Sequence, residues 1–274
     1  MRYENEITLV RLMKRHLICC FAVLAMSFLA VSAQERNNHS VNQGWYAGLR
    51  GEIPTGVCTF SSFGSGDNGI GWGGGVYAGR MLGDVLSAEI SAGFGRVGLS
   101  ARDCCVERGY WLGSDRVRYN APVADLEGWN YDDLESAVSI MRVDARLNVN
   151  LLGLLAGPAA RASSHGRWAV EVSPVLAVTC SKAEIKAWVD GGNSERNRKS
   201  VLKADSKWNF GAGGCLQVRF SVTERMDVAL FSEMLALVGG RYDGVPKHQH
   251  GSNLLLSNGF KAAWTFGKDS GVRK

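Results

Sequence analysis

The side chains best equipped for covalent chemistry lie near the C-terminus, in Lys247-His248-Gln249-His250-Gly251-Ser252-Asn253. A serine hydroxyl is a weak nucleophile until an imidazole takes its proton and a carboxylate orients that imidazole. On an extended segment, a spacing of two puts His250 and Ser252 on one face. No glutamate follows Ser252 and Asp269 falls in the C-terminal tail, so Glu233 is the acid left to nominate. The alternative is a polar loop with Ser252 capping a turn, and it is preferred because a motif without its third member is weak evidence. His248 and His250 lack a third ligand within reach, so neither a metal nor a cofactor is expected.

The cysteines point to a staple. Of seven, Cys19 and Cys20 lie in an N-terminal apolar stretch; Cys58, Cys104, Cys105, Cys180 and Cys215 follow it. An odd number leaves at least one unpaired, and adjacent Cys104-Cys105 without any CxxC excludes the usual zinc spacings. A bond from Cys58 to Cys104 or Cys105 would pin the aromatic-rich segment Ser100 to Ala137, which holds Tyr110, Trp111, Tyr119, Trp129 and Tyr131. Exposed aromatics on such a loop suit a glycan or protein partner; folded inward, they would cap whatever lies beneath.

Charged side chains are organised by a period of two, the mark of strands with unlike faces. In the clearest segment Arg142, Asp144, Arg146, Asn148 and Asn150 alternate with Val143, Ala145, Leu147, Val149 and Leu151. Seven further segments start near Trp45, Ile70, Leu86, Trp168, Trp208, Met226 and Leu254, the one from Met226 to Val238 being less regular. Eight strands thus make an all-β fold. One parity is almost free of charge, whereas the other carries Arg50, Glu52, Glu89, Arg142, Asp144, Arg146, Glu171, Arg219, Asp227, Glu233 and Lys261. Facing lipid, an Arg or Lys near the midplane costs about 2–4 kcal/mol, so these eleven face inward. An eight-stranded antiparallel up-and-down barrel is only wide enough for its own side chains. The predicted lumen is therefore a plugged ionic network and not a pore, with inward glycines making room for long partners such as Arg50 or Arg142.

The connections alternate too. Leu82-Gly83-Asp84, the Gly157-Pro158 segment and Thr223-Glu224-Arg225 are the shorter set; Ser61–Gly69, Ser100–Ala137, Gly191–Lys207 and Arg241–Ser252 are longer and polar. Short turns at one rim and long loops at the other suit a transmembrane barrel. Trp45, Trp168 and Trp264 fall near the short-turn rim and Trp72, Trp188 and Trp208 near the other, as two aromatic girdles. Glycine numbers 34 of 274 residues and proline only 5, which fits tight strand contacts and ladders that need every donor.

Ahead of the barrel, Lys14-Arg15-His16, the apolar run Leu17 to Val31 and Val31-Ser32-Ala33 have the anatomy of a cleavable export signal. Residues 1–33 are read as that signal, cut after Ala33, with Met13 an alternative start. Residues 34–44 then form a short periplasmic segment, 45–268 the barrel and 269–274 a polar tail. Without 1–33 the net charge is +3, and no basic block remains to demand a nucleic-acid partner.

The layout resembles the small eight-stranded outer-membrane β-barrels of Gram-negative bacteria, the group of the OmpA transmembrane domain and OmpX. The final strand, Asn258-Gly259-Phe260-Lys261-Ala262-Ala263-Trp264-Thr265-Phe266, carries the resemblance most specifically. It implies that Phe266 is the signal read by the barrel-assembly machinery, although Asp269 to Lys274 extend beyond it. It also implies a setting of lipid bilayer and lipopolysaccharide, and a surface, structural or adhesive role without catalysis. His250-Gly251-Ser252-Asn253 separately resembles the His-x-Ser-Asn motif of outer-membrane lipid A deacylases, which implies a hydrolase using His250 and Ser252. An accessory subunit of a larger outer-membrane complex is the third expectation.

Overall fold

The computed structural model describes residues 44–64, 71–83, 85–101, 126, 129, 133–155, 167–191, 195–245 and 253–266. The export signal, the segment 34–43 and the C-terminal tail lie outside them. The strands are β1 (Trp45–Val57), β2 (Trp72–Met81), β3 (Leu86–Ser100), β4 (Leu134–Asn150), β5 (Trp168–Gly191), β6 (Glu195–Lys203), β7 (Lys207–Ser221), β8 (Met226–Gly239) and β9 (Leu254–Phe266). One short helix, α1 (Leu151–Leu155), follows β4. Every pairing is antiparallel, in the order β4-β3-β2-β1-β9-β8-β7-β5, and β5 pairs back with β4. Eight strands therefore close into a ring and leave no open edge in the part that crosses the membrane, where an unpaired backbone group would cost several kcal/mol. The closing seam is β1 on β9, continuous from Trp45↔Phe266 to Val57↔Leu254.

The ninth strand corrects the reading of Gly191–Lys207 as a loop. Beyond Ser181, β5 outruns β7 and pairs instead with β6, from Glu184↔Lys203 to Gly191↔Glu195. The sequence of β6, Glu-Arg-Asn-Arg-Lys-Ser-Val-Leu-Lys, lacks the apolar alternation of the ring strands. Trp188 belongs to this extension. It lies eight residues above Cys180, about 26 Å along the strand, donates from Nε1 to Glu135 Oε1 at 2.9 Å and stacks under Arg198. It is not part of the upper girdle, whereas Trp72 and Trp208 are outward and exposed there, as Trp45, Trp168 and Trp264 are at the lower rim.

Pro174 falls in mid-strand, where the β4–β5 ladder lacks two pairs between Arg146↔Val175 and Val149↔Val172. Tight turns close the other rim: Leu82 N donates to Leu86 O at 2.9 Å and Val222 N to Met226 O at 2.9 Å. After β4, Asn150 Oδ1 accepts from Gly153 N at 3.2 Å and starts α1. Glycine does make room inside, but for aromatic rings. A Cβ on Gly48 would meet Cζ of Tyr77 at 2.7 Å, and one on Gly79 would overlap the Tyr46 ring.

The two faces exchange character along β3, β4 and β5. Below, Phe94, Met141, Val143 and Leu176 are exposed outward while Glu89, Ser91, Arg142, Asp144, Arg146 and Glu171 are buried inward. Above, the outward residues become Arg96, Ser139 and Lys182, and the inward ones Val97, Leu99, Val138, Ile140, Ala183 and Ile185. Apolar side chains therefore supply more than the lipid-facing wall: the long-loop end has a hydrophobic core. It is the reason β8 reads as irregular, since Leu235 and Leu237 occupy the same inward face as Asp227 and Glu233.

The position of the exchange is testable by insertion. Val143→Arg should cost about 2–4 kcal/mol of stability in vesicles, whereas Ser139→Arg, past the exchange, should cost about 0–1 kcal/mol. Denaturant titration measures both, and equal costs would misplace the boundary.

Candidate functional site

All eleven charged residues of the inward parity line one lumen. Four cations and four anions meet in its middle. Arg142 reaches from β4 to Glu233 on β8 at 2.6 Å and lies 3.0 Å from Asp144 Oδ2 through Nε. Arg146 meets Asp144 at 2.5 Å, Glu233 at 3.0 Å and Glu89 at 3.3 Å. Arg50 pairs with its strand neighbour Glu52 and with Asp144 at 3.3 Å, and Lys261 on β9 donates to Glu89 at 2.6 Å. Ser91 donates to Asp144 at 2.7 Å. The Arg50 guanidinium sits 5.0 Å from the Phe231 ring centre and the Lys261 ammonium 4.8 Å from that of Tyr77, so ring faces complete the cations' surroundings.

Towards the short-turn rim, Arg219 bridges Glu171 at 2.8 Å and Asp227 at 3.3 Å, and Gln217 donates to Glu171. Asn148 joins the two levels, donating to Ser87 at 3.1 Å and accepting from Ser173 at 2.6 Å. A polar cavity of about 30 Å³ bordered by Glu171, Arg219 and Asp227 has room for water and little more. Among the described residues no cluster of His, Cys, Asp or Glu fits a metal ion.

Above the ions, Phe60, Leu99, Leu126, Leu134, Val138, Ile185, Leu235, Tyr242 and Leu255 pack into an apolar plug. Its polar fasteners come from a segment that reads as featureless loop. Asp243 is wholly buried; its carboxylate accepts from Thr59 N at 2.8 Å and Val245 N at 3.2 Å, and its carbonyl from Ser136 at 2.6 Å. Tyr242 donates to Leu254 O at 2.8 Å. The signal for this turn is Tyr-Asp-Gly, where Gly244 takes a φ of 84°.

Cys58 is a free thiol; Cys104 and Cys105, the partners expected for it, lie outside the described residues. It donates to Asn253 Oδ1 at 3.1 Å, and Asn253 in turn donates to Leu237 O at 3.2 Å. Cys180 and Cys215 are also free and point to opposite faces of the wall: Cys215 is buried in the lumen, whereas Cys180 shares the outward parity of Val178. Of the proposed catalytic set, His250 and Ser252 lie outside the described residues. Glu233 is deep in the lumen opposite Ser257, three residues, or about 10 Å of strand, below Leu254. Its two oxygens are engaged by Arg142 and Arg146. In the loop Ser100–Ala137, Ser100 still belongs to β3, β4 begins at Leu134, and Leu126 and Trp129 pack on the plug.

A closed antiparallel ring with an apolar exterior and an ion-paired interior defines a membrane-spanning β-barrel of the outer-membrane type. No protein-family model matches the chain, and no curated protein matches it in sequence. Solved structures are similar in layout. Ail, the attachment invasion locus protein of Yersinia pestis, solved with the heparin analogue sucrose octasulfate, is 11% identical over 81% of this chain and 99% of its own, with a TM-score of 0.38. Neisserial surface protein A is 11% identical over 81% and 97%, with a TM-score of 0.35. The outer membrane protease OmpT of Escherichia coli is 8% identical over 84% and 99%, with a TM-score of 0.33.

Two measurements probe this interior. Glu233→Ala strips a shared partner from two buried guanidiniums and should destabilise the barrel by about 3–5 kcal/mol; a loss below 1 kcal/mol on denaturant titration would show the network to be dispensable. At the plug, burial pushes the Cys58 thiol well up from its usual value, helped by the Asp243 carboxylate and opposed by Arg241. The folded thiol therefore stays protonated, and the stability it supports is complete below the unfolded value of about 8.5 and lost as pH rises beyond it. Peptide mapping after iodoacetamide at pH 9 should find Cys58 intact in the folded protein and modified after unfolding. Equal modification in both states would contradict its burial.

Proposed function

We propose that the chain is an exported outer-membrane barrel of a Gram-negative bacterium that acts through its outer surfaces, without catalysis and without a lumenal path. The observation that carries this reading is the filled interior. A balanced ionic cluster fills the spanning part with an apolar plug above it, and the two cavities bordered by described residues measure about 30 and 10 Å³. Among the described residues neither cavity has room for a solute path or an internal ligand, which favours work at the lipid-facing wall and the long-loop end.

Export with removal of residues 1–33 and a surrounding of lipid and lipopolysaccharide belong to this reading. So does assembly through Phe266, which ends β9 exposed and opposite Trp45. The host glycan or protein contact is assigned to the segment Ser100–Ala137 after β3. Ser100 and the residues from Leu134 belong to strands and Leu126 and Trp129 pack on the plug; residues 102–125 lie outside the described residues. Deleting residues 104–123 is expected to abolish binding to host-cell surfaces while preserving the mobility shift between unheated and boiled samples. Unchanged binding would remove the loop from the account.

Hydrolysis by His250 and Ser252 is disfavoured by the commitment of Glu233 to Arg142 and Arg146. Mass spectrometry of lipid A from cells expressing the parent chain and Ser252→Ala is expected to give one acylation pattern. An acyl loss that requires Ser252 would make the chain a deacylase.

A further inference from the structure

Outward residues align across neighbouring strands at the upper edge of the apolar band. One row is Phe94, Met141, Cys180 and Trp208 on β3, β4, β5 and β7. Directly above it runs Trp72, Arg96, Ser139 and Lys182 on β2, β3, β4 and β5. Arg96 and Lys182 are two strand spacings apart, about 10 Å, with the Ser139 hydroxyl between them; all three are exposed. The acids nearest on this face are already engaged. Glu184 lies 3.6 Å from Lys186 and opposite Lys203, and Glu135 binds Trp188 and Arg198. Among the described residues Arg96 and Lys182 have no ion-pair partner, where acyl chains give way to headgroups.

We propose that Arg96, Ser139 and Lys182 bind the phosphate of an outer-leaflet lipid whose acyl chains lie over Phe94, Met141 and Val143. The inference rests on the reading that this barrel stands in the outer membrane with its long loops outward. Arg96 offers a planar fork of donors, Lys182 a flexible point charge and Ser139 a hydroxyl donor, a set matched to phosphate oxygens. Their attraction is strengthened beside the hydrocarbon, where the dielectric is lower than in water. The row of apolar residues below favours a lipid phosphate, since a free anion would use the charges alone.

Native mass spectrometry of the refolded mature barrel in detergent tests this, with bisphosphorylated lipid A, the same lipid after phosphate removal, and inorganic phosphate as competitor. The double variant Arg96→Gln/Lys182→Gln is expected to bind the phosphorylated lipid at least about tenfold more weakly. Binding of the dephosphorylated lipid should not change, and Arg225→Gln, in a turn at the other rim, should bind both as the parent does. Equal affinity of parent and double variant for the phosphorylated lipid overturns the site. Displacement of lipid by equimolar inorganic phosphate overturns a lipid as its occupant. The mobility shift on heating, recorded for the same samples, separates a failed site from a failed barrel, because its absence in the parent overturns the outer-membrane reading itself.

Discussion

Closing eight strands into a ring leaves an interior that only side chains can fill, and any charge placed there is cut off from bulk water by a wall whose far side is lipid. Burying an ion costs several kcal/mol unless partners surround it. Around Asp144 and Glu233 the chain meets that demand with equal numbers of each sign drawn from five strands: β1, β3, β4, β8 and β9. Pairs within a strand, such as Arg50 with Glu52, are knitted to partners on other strands. Arg142 needs Glu233 from across the lumen and Lys261 needs Glu89 from the far side of the β1–β9 seam. The network is therefore complete only when the ring is closed, so strand register and charge pairing depend on one another.

The same dependence explains why the ions stop where they do. Beyond Arg142 on β4 the wall leaves the lipid and the outward face meets water, so the inward face reverts to the apolar packing of a soluble barrel. Polar atoms survive in that plug where the backbone supplies their partners. Asp243 is an example, a buried acid whose carboxylate accepts from the backbone amides of Thr59, Phe60 and Val245. It ties the segment after β1 to the segment after β8, and Tyr242 and Asn253 tie both to β8 and β9.

How much of this was legible depended on which physical signal each element carries. In β4 the outward side is apolar and the inward side charged, so Arg142 to Asn150 shows its faces plainly, and the eleven lumenal residues follow from parity alone. In β8 both sides are apolar above Glu233, and the alternation vanishes although the strand is regular. β6 is polar along most of its length because it stands outside the hydrocarbon, paired with the overlong β5 and resting on the plug through Val201 and Leu202. The partners of Cys58 were illegible for another reason. Parity and spacing say which residues share a face, but Asn253 is 195 positions away and is brought close by ring closure, not by any local pattern.

The exchange of faces locates the membrane more sharply than aromatic residues do. Tryptophan marks a boundary through a broad preference, and Trp188 shows how far from it one can lie when a strand continues into water. The switch at Phe94/Arg96, Met141/Ser139 and Cys180/Lys182 occurs in one register row on three strands and is matched inside by Val97 and Ile140. Two opposite solvation demands, lipid outside with ions inside and water outside with hydrocarbon inside, meet within one residue pair. A shift of one residue in register would turn every side chain on those strands to the wrong face at both levels at once. The boundary and the register thus fix each other, which makes the row just above the exchange a defined place on the wall for a headgroup to sit.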